Sequence, residues 1–378
     1  MAPLRHRPKD AAVDWHRRSG PLRVGELIDD RYEVVELLSN GATADVCKVR
    51  HRVLGRHFAL KVLRSECGRD VEFSERLLRE ARALGALSHP NIVTITDSGR
   101  LPSGEPYFVM EYVEGISLDQ LMSEQGPMEL SLALEVAAGV CDALDAAHRI
   151  GIIHRDLKPD NICVVQRNGK SCVKVLDFGL ARVAGQGRLT RPNTTHGTPE
   201  YMSPEQNMGL DVDARADIYS LGVTLYEMLC GRLPFSADSY VALAHQHMYA
   251  PLPAFRRSLT EDSPSLRVEP IVSRAVEKDR EHRYGSAAEL SRALAPFRVP
   301  DRTLRLPRRV EPRPIGVSYA SARASASAAT LAPVGRAPAP PALVPRIRYS
   351  YLLQWAIVGC CLGTLILVLV YWLGGGHS

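Results

Sequence analysis

His154-Arg155-Asp156-Leu157-Lys158-Pro159-Asp160-Asn161 is the stretch on which the reading of this 378-residue chain turns. It gathers two carboxylates, an ammonium and a carboxamide around a proline, whose fixed φ stiffens the turn between them. Downstream, the apolar strand Val173-Lys174-Val175-Leu176 delivers a second acidic signature, Asp177-Phe178-Gly179, and further on comes Gly197-Thr198-Pro199-Glu200-Tyr201-Met202-Ser203-Pro204-Glu205.

Outward from these motifs the chain divides in two. Arg31-Tyr32-Glu33-Val34-Val35-Glu36-Leu37-Leu38 opens an alternating apolar pattern, and strand-like runs follow at 46–49, 58–63 and 107–110. Among them lies one helical stretch, 71–87, whose Leu77, Leu78, Ala81 and Leu84 recur at i, i+1, i+4, i+7. From Leu118 onward helical spacing dominates, at 131–148, 216–229, 239–249, 270–278 and 286–297. The pattern predicts an α+β chain: a small sheet with one helix, then a larger helical lobe, folded from near Tyr32 to near Phe297.

Together these segments resemble the protein kinases over that whole span. Lys158 marks the serine/threonine branch, and Gly197 to Gln206 with Glu277-Lys278-Asp279-Arg280-Glu281-His282-Arg283-Tyr284 look most like the bacterial eukaryotic-type (Hanks-type) Ser/Thr kinases. The resemblance implies a bilobal kinase fold, with an N-lobe at about 32–112 and a C-lobe at about 113–297. It also implies ATP with Mg²⁺ or Mn²⁺, protein substrates bearing Ser or Thr, and allows a homodimer.

Phosphoryl transfer asks a protein to position ATP and neutralise developing charge. By resemblance Lys61, in Phe58-Ala59-Leu60-Lys61, holds the phosphates and pairs with Glu80. Asn161 and Asp177 take the metal, Asp156 accepts the hydroxyl proton, and Lys158 sits beside the transferred group. Only seven of the 47 basic residues are lysine, so lysine at 61 and 158 is telling: a compact ammonium and a planar guanidinium are not interchangeable. Met110-Glu111-Tyr112-Val113 matches the gatekeeper and hinge, with backbone groups of Glu111 and Val113 meeting adenine, and Val46 and Ala59 lie against the nucleotide. Asp217 resembles the family's buried helix aspartate that braces the catalytic loop, and Glu205 with Arg283 its buried ion pair.

The glycine-rich loop departs from the pattern. Leu38-Ser39-Asn40-Gly41-Ala42-Thr43-Ala44-Asp45-Val46 keeps the middle glycine, Gly41, while Ser39 and Ala44 replace the other two. A Cβ at those places restricts the backbone, which predicts weaker ATP binding. The rival reading from another class, a pseudokinase or nucleotide-binding scaffold, rests on these losses; the complete set of Lys61, Glu80, Asp156, Asn161 and Asp177 favours the enzyme. Arg155, which precedes the catalytic aspartate, predicts autophosphorylation at Thr190, Thr194 or Thr195.

The net charge of +5 is unevenly spread, since residues 298–348 hold ten arginines against two acids. The folded middle is therefore acidic, which disfavours a nucleic-acid-binding face. Residues 1–31 read as a polar extension and 298–350 as a Pro/Ala/Arg-rich disordered juxtamembrane linker. Residues 352–373 carry no charge and twelve Leu, Ile or Val. At 1.5 Å per residue that run matches a hydrocarbon core of about 30 Å, and Tyr351, Trp355, Tyr371 and Trp372 sit near its ends as an interfacial belt does. A transmembrane helix at 351–373 with a short extracytoplasmic tail, 374–378, is expected. Arg346 and Arg348 precede it and no basic residue of Lys or Arg type follows, so the expected location is the inner membrane with the kinase on the cytoplasmic side.

Overall fold

The computed structural model describes residues 22–40, 44–63, 71–167, 170–178, 199–298 and 313–314. The expected membrane segment lies outside them, and among the described residues no helix is long and apolar enough to cross a membrane.

The small lobe is a six-stranded antiparallel sheet in the order β1-β2-β3-β4-β6-β5. Its strands are β1 (Leu27–Ile28), β2 (Tyr32–Asn40), β3 (Ala44–His51), β4 (His57–Leu63), β5 (Ile95–Arg100) and β6 (Pro106–Glu111). The fold starts earlier than the polar composition of residues 1–31 suggests: Leu22 is buried, and Leu27 and Ile28 pair with Glu33 and Tyr32. A two-residue strand offers too little periodicity to be read from sequence.

The period-2 alternation of β3, β4 and β6 sends side chains to two cores. Cys47, Val49, Leu60, Val62, Tyr107 and Val109 face one, with Tyr32 and Val34. Ala44, Ala59, Leu63, Phe108 and Met110 face the other, where α1 (Val71–Ala86) brings Ala81 and Leu84. Register places Lys61 opposite both Val46 and Phe108, so its ammonium emerges on this second, inter-lobe face.

The large lobe follows through β7 (Glu114–Ser117), α2 (Leu118–Gln125) and α3 (Leu130–Arg149). The strands β8 (Ile162–Arg167) and β9 (Lys170–Val175) join β7 in a second sheet, ordered β10-β7-β8-β9. Strand β10 (Arg313–Pro314) pairs with Glu114 and Gly115, so two residues of the expected linker take part in the fold. The short α4 (Pro204–Asn207) precedes α5 (Arg215–Cys230), followed by α6 (Tyr240–Tyr249), α7 (Glu269–Ala275) and α8 (Ala287–Leu294). Helix α5 is buried from Ala216 to Cys230, its polar Asp217, Ser220, Thr224 and Glu227 included. It ends at Gly231 in the left-handed region (φ +71°), whose N–H donates to Glu227 O. A Cβ at Gly222 would stand 2.9 Å from that of Ala275, so glycine lets α5 and α7 pack backbone-close.

Candidate active site

Asp217, in the first turn of α5, organises the catalytic loop. Its carboxylate is fully buried and accepts three hydrogen bonds, from the His154 and Arg155 N–H groups (both 2.8 Å) and from His148 Nε2 (2.7 Å). Arg155 adopts φ +64°, a conformation that is costly for a residue with a Cβ; the paired N–H groups hold it there. Gln206 Nε2 donates to Arg155 O from the far side (2.9 Å), tying the loop to α4.

His154 joins this loop to the segment carrying Asp177. Its Nε2 donates to Leu176 O (2.9 Å), its Nδ1 accepts from the Asp156 N–H (3.3 Å), and its ring packs on Phe178 with centroids 4.7 Å apart. Leu176 N–H donates in turn to Asn161 O (2.8 Å). Catalytic loop and Asp177 segment are therefore one hydrogen-bonded unit.

Within it, Lys158 Nζ lies 3.3 Å from Asp156 Oδ2. Asn161 Nδ2 donates to Asp156 O (2.8 Å), which leaves Oδ1 for a cation. Asp177, at φ +52°, meets Lys61 Nζ at 2.9 Å. Burial alone would raise the Asp177 carboxyl, but the Lys61 ammonium, helped by His154 and Lys158, outweighs it and holds the group below the ordinary carboxylate value. It is ionised at neutral pH. The ionised Asp177 carboxylate and the Asn161 carboxamide, on segments joined by the Leu176 N–H to Asn161 O bond, are ligand types that suit a hard divalent cation such as Mg²⁺, and the ammoniums of Lys61 and Lys158 suit polyphosphate.

Lys61 pairs with Asp177, and Glu80, its expected partner, stands half-buried on α1. A nearly buried ammonium needs an opposite charge beside it, and the Asp177 carboxylate supplies it.

On the nucleotide side, Ala44, Val46, Ala59 and Met110 share the sheet face of Lys61. Val113 is buried, and the Glu111 N–H is already engaged by Thr94 O (2.9 Å). The Glu111 side chain turns inward to Lys174, whose Nζ also donates to Ile92 O (3.0 Å). Sequence reasoning passed over Lys174, although the scarcity of lysine that marked Lys61 marks it too. Ser39 pairs with Val46 at the mouth of the β2–β3 hairpin, while Gly41 lies outside the described residues, as do Thr190, Thr194 and Thr195.

Glu205 and Arg283 form a bidentate pair at 2.8 and 2.9 Å, with the Arg283 side chain fully buried. It fixes the segment after Tyr201 against the end of the lobe.

Known proteins are similar to this chain in sequence and in fold. The family model "Protein kinase domain" matches residues 32–293. The chain is 44% identical over 269 residues to serine/threonine-protein kinase PknB of Mycobacterium tuberculosis, covering 70% of this chain and 42% of that protein. It is 38% identical over 275 residues to a probable serine/threonine-protein kinase PknB of Lactococcus lactis, covering 72% and 43%. The match thus spans less than half the length of these curated relatives. Among solved structures, the PknI kinase domain of Mycobacterium tuberculosis is similar at TM-score 0.57 and 29% identity, covering 73% of this chain and 99% of that one. Rad53 in complex with AMP-PNP is similar at TM-score 0.55 and 29% identity, covering 69% and 64%. Sequence, fold and the Asp156–Lys158–Asn161–Asp177 cluster agree, and the chain belongs to the protein kinase family.

Proposed function

We propose that this chain transfers the γ-phosphoryl group of ATP to serine and threonine hydroxyls of proteins. The observation that carries the reading is the convergence of Lys61, Asp156, Lys158, Asn161 and Asp177 on one cleft face, with Asp156 and Lys158 only 3.3 Å apart. Asp156 accepts the proton of the attacking hydroxyl, and Lys158, already neutralising that carboxylate, turns to the charge that develops on the transferred group. Lys61, whose ammonium faces the same cluster, would hold phosphate oxygens. A bound Mg²⁺ supplies charge neutralisation between the phosphates, and Asn161 and Asp177 are the residues that would hold it. Incubation with labelled ATP and a generic protein substrate should give phosphoserine or phosphothreonine, and Asp156→Asn should abolish it; equal labelling by both proteins would refute the assignment.

Two further elements rest on sequence. The uncharged run 352–373 with Arg346 and Arg348 ahead of it supports anchoring in the inner membrane with the kinase in the cytoplasm. Fractionation of the full chain, which should need detergent for release, tests it. Thr190, Thr194 and Thr195 are the proposed autophosphorylation sites, where the added charge would pair with Arg155. Mass spectrometry after incubation with ATP should find phosphate there and lose it in Asp156→Asn.

A further inference from the structure

The hairpin joining β3 to β4 ends in two large apolar side chains turned to the outside: Val53 is 86% exposed and Leu54 61%, and every residue from Arg52 to His57 is exposed. A turn in water ordinarily leaves backbone N–H groups to the solvent. Here they are used up internally. Val53 and Leu54 N–H both donate to His51 Nδ1 (3.3 and 3.2 Å), Gly55 N–H to His51 O (2.8 Å), His51 N–H to Arg56 O (2.9 Å) and Arg52 N–H to Arg31 O (2.9 Å). Gly55 takes the left-handed conformation (φ +67°) that closes so tight a turn. With the N–H groups of Arg52, Val53, Leu54 and Gly55 bonded internally, the tip carries few free donors toward an apolar surrounding, where each unsatisfied group is expensive.

The charges around the tip point the same way. No carboxylate occurs between Val46 and Phe58. The acids on the neighbouring strands are largely matched: Glu33 pairs with Arg50 at 2.8 Å, and Asp97 and Asp29 with Arg31 at 2.8 and 3.8 Å, while Asp30 is exposed at the β1–β2 turn. Arg52 and Arg56 are exposed on either side of the apolar pair and carry the charge that faces outward. Two exposed aliphatic side chains framed by arginines are complementary to the acyl–headgroup boundary of an anionic bilayer, where arginine meets lipid phosphate and the aliphatic groups leave water.

We infer that the Val53–Leu54 tip is a lipid-contact element that seats the small lobe on an anionic membrane surface. The inference rests on the anchored reading proposed above. Thirty-six residues separate Pro314 from Tyr351, and a chain reaches at most about 3.5 Å per residue, so their number sets no obstacle to that contact. Such a contact would bring the cleft to substrates at the membrane surface.

The test uses the full chain reconstituted in nanodiscs of phosphatidylcholine with and without phosphatidylglycerol, carrying a photo-crosslinking benzoylphenylalanine in place of Val53. The expected result is a lipid adduct on illumination in the phosphatidylglycerol discs, lost in the same chain bearing Arg52→Glu and Arg56→Glu. Phosphotransfer to a soluble substrate, which needs no membrane contact, should be unchanged in both. A crosslink to a second copy of the chain, or illumination without any lipid adduct, would overturn the inference while leaving the anchor intact. A chain that does not enter the discs at all would overturn the anchor and the inference with it.

Discussion

Lys61 Nζ lies 2.9 Å from Asp177 Oδ2, so an ammonium of strand β4 and the carboxylate ahead of Phe178 neutralise each other across the two lobes. By the roles proposed above, Lys61 would hold phosphate and Asp177 the cation. Lys61→Met and Asp177→Asn should each lower phosphotransfer by about a thousandfold or more, on the order of 4 kcal/mol of barrier. The fold should survive both, since the substitutes nearly match in size. Turnover and thermal melting measured together decide it: near wild-type turnover in either variant contradicts the assigned roles.

Asp217 satisfies the N–H groups of His154 and Arg155 from inside the core. Asp217→Ala strands both donors and the His148 ring nitrogen and frees Arg155 from its left-handed backbone. At about 1–3 kcal/mol for each buried group left unpaired, the variant should lose roughly 3–5 kcal/mol of stability and most of its activity. Urea unfolding is the measurement; a midpoint shift worth less than about 1 kcal/mol would mean that the loop is held by something else.

The strands and helices around the site were legible because their periodicity is strong: β3, β4 and β6 alternate between two cores, and α3 and α5 repeat as helices do. The roles of Asp217 and of the Glu205–Arg283 pair were legible through resemblance, and geometry adds the bonds by which they act. Three things were not. The part that residues ahead of Tyr32 take in the fold rests on the buried Leu22 and a two-residue strand, which no window detects. The inward turn of Glu111 to Lys174 joins residues far apart in sequence, and nothing local signals it. The meeting of Lys61 with Asp177 depends on how the strand of one lobe faces the other, a property of tertiary packing alone.

His247 makes stability depend on acidity. The residue is fully buried on α6, with Nδ1 bonded to Tyr219 OH (2.9 Å); burial, and secondarily Lys278, push its imidazole down from 6.5 to about 4. The unfolded chain takes up a proton near pH 6.5 and the folded chain resists until about pH 4, so the contribution is intact above 6.5 and declines as pH falls across that window. The full loss is about 3 kcal/mol. His247→Asn, which keeps an acceptor for Tyr219, should flatten the dependence of the urea midpoint on pH between those values. An unchanged slope would assign the acid sensitivity to other groups.

Ser39 and Ala44 stand where the family pattern carries glycine, yet neither has a positive φ; both lie in paired strands, Ser39 opposite Val46 and Ala44 opposite Leu63. Their backbones therefore do not need glycine in this conformation, and what a Cβ limits there is how far the hairpin can bend toward phosphates. The two positions differ in what they touch. Ala44 is buried in the inter-lobe core with Ala59 and Leu63, whereas Ser39 is only partly covered. Ala44→Gly removes a packed methyl and adds chain entropy, and should cost about 1 kcal/mol of stability or somewhat more. Ser39→Gly should cost less than that and lower the ATP Michaelis constant, because the strand end gains freedom without emptying the core. Steady-state kinetics at varied ATP with a parallel melt separates the two effects. A raised or unchanged Michaelis constant in Ser39→Gly would show that the serine does not limit closure over the nucleotide, and equal destabilisation by the two variants would show that the buried methyl of Ala44 is not what distinguishes them.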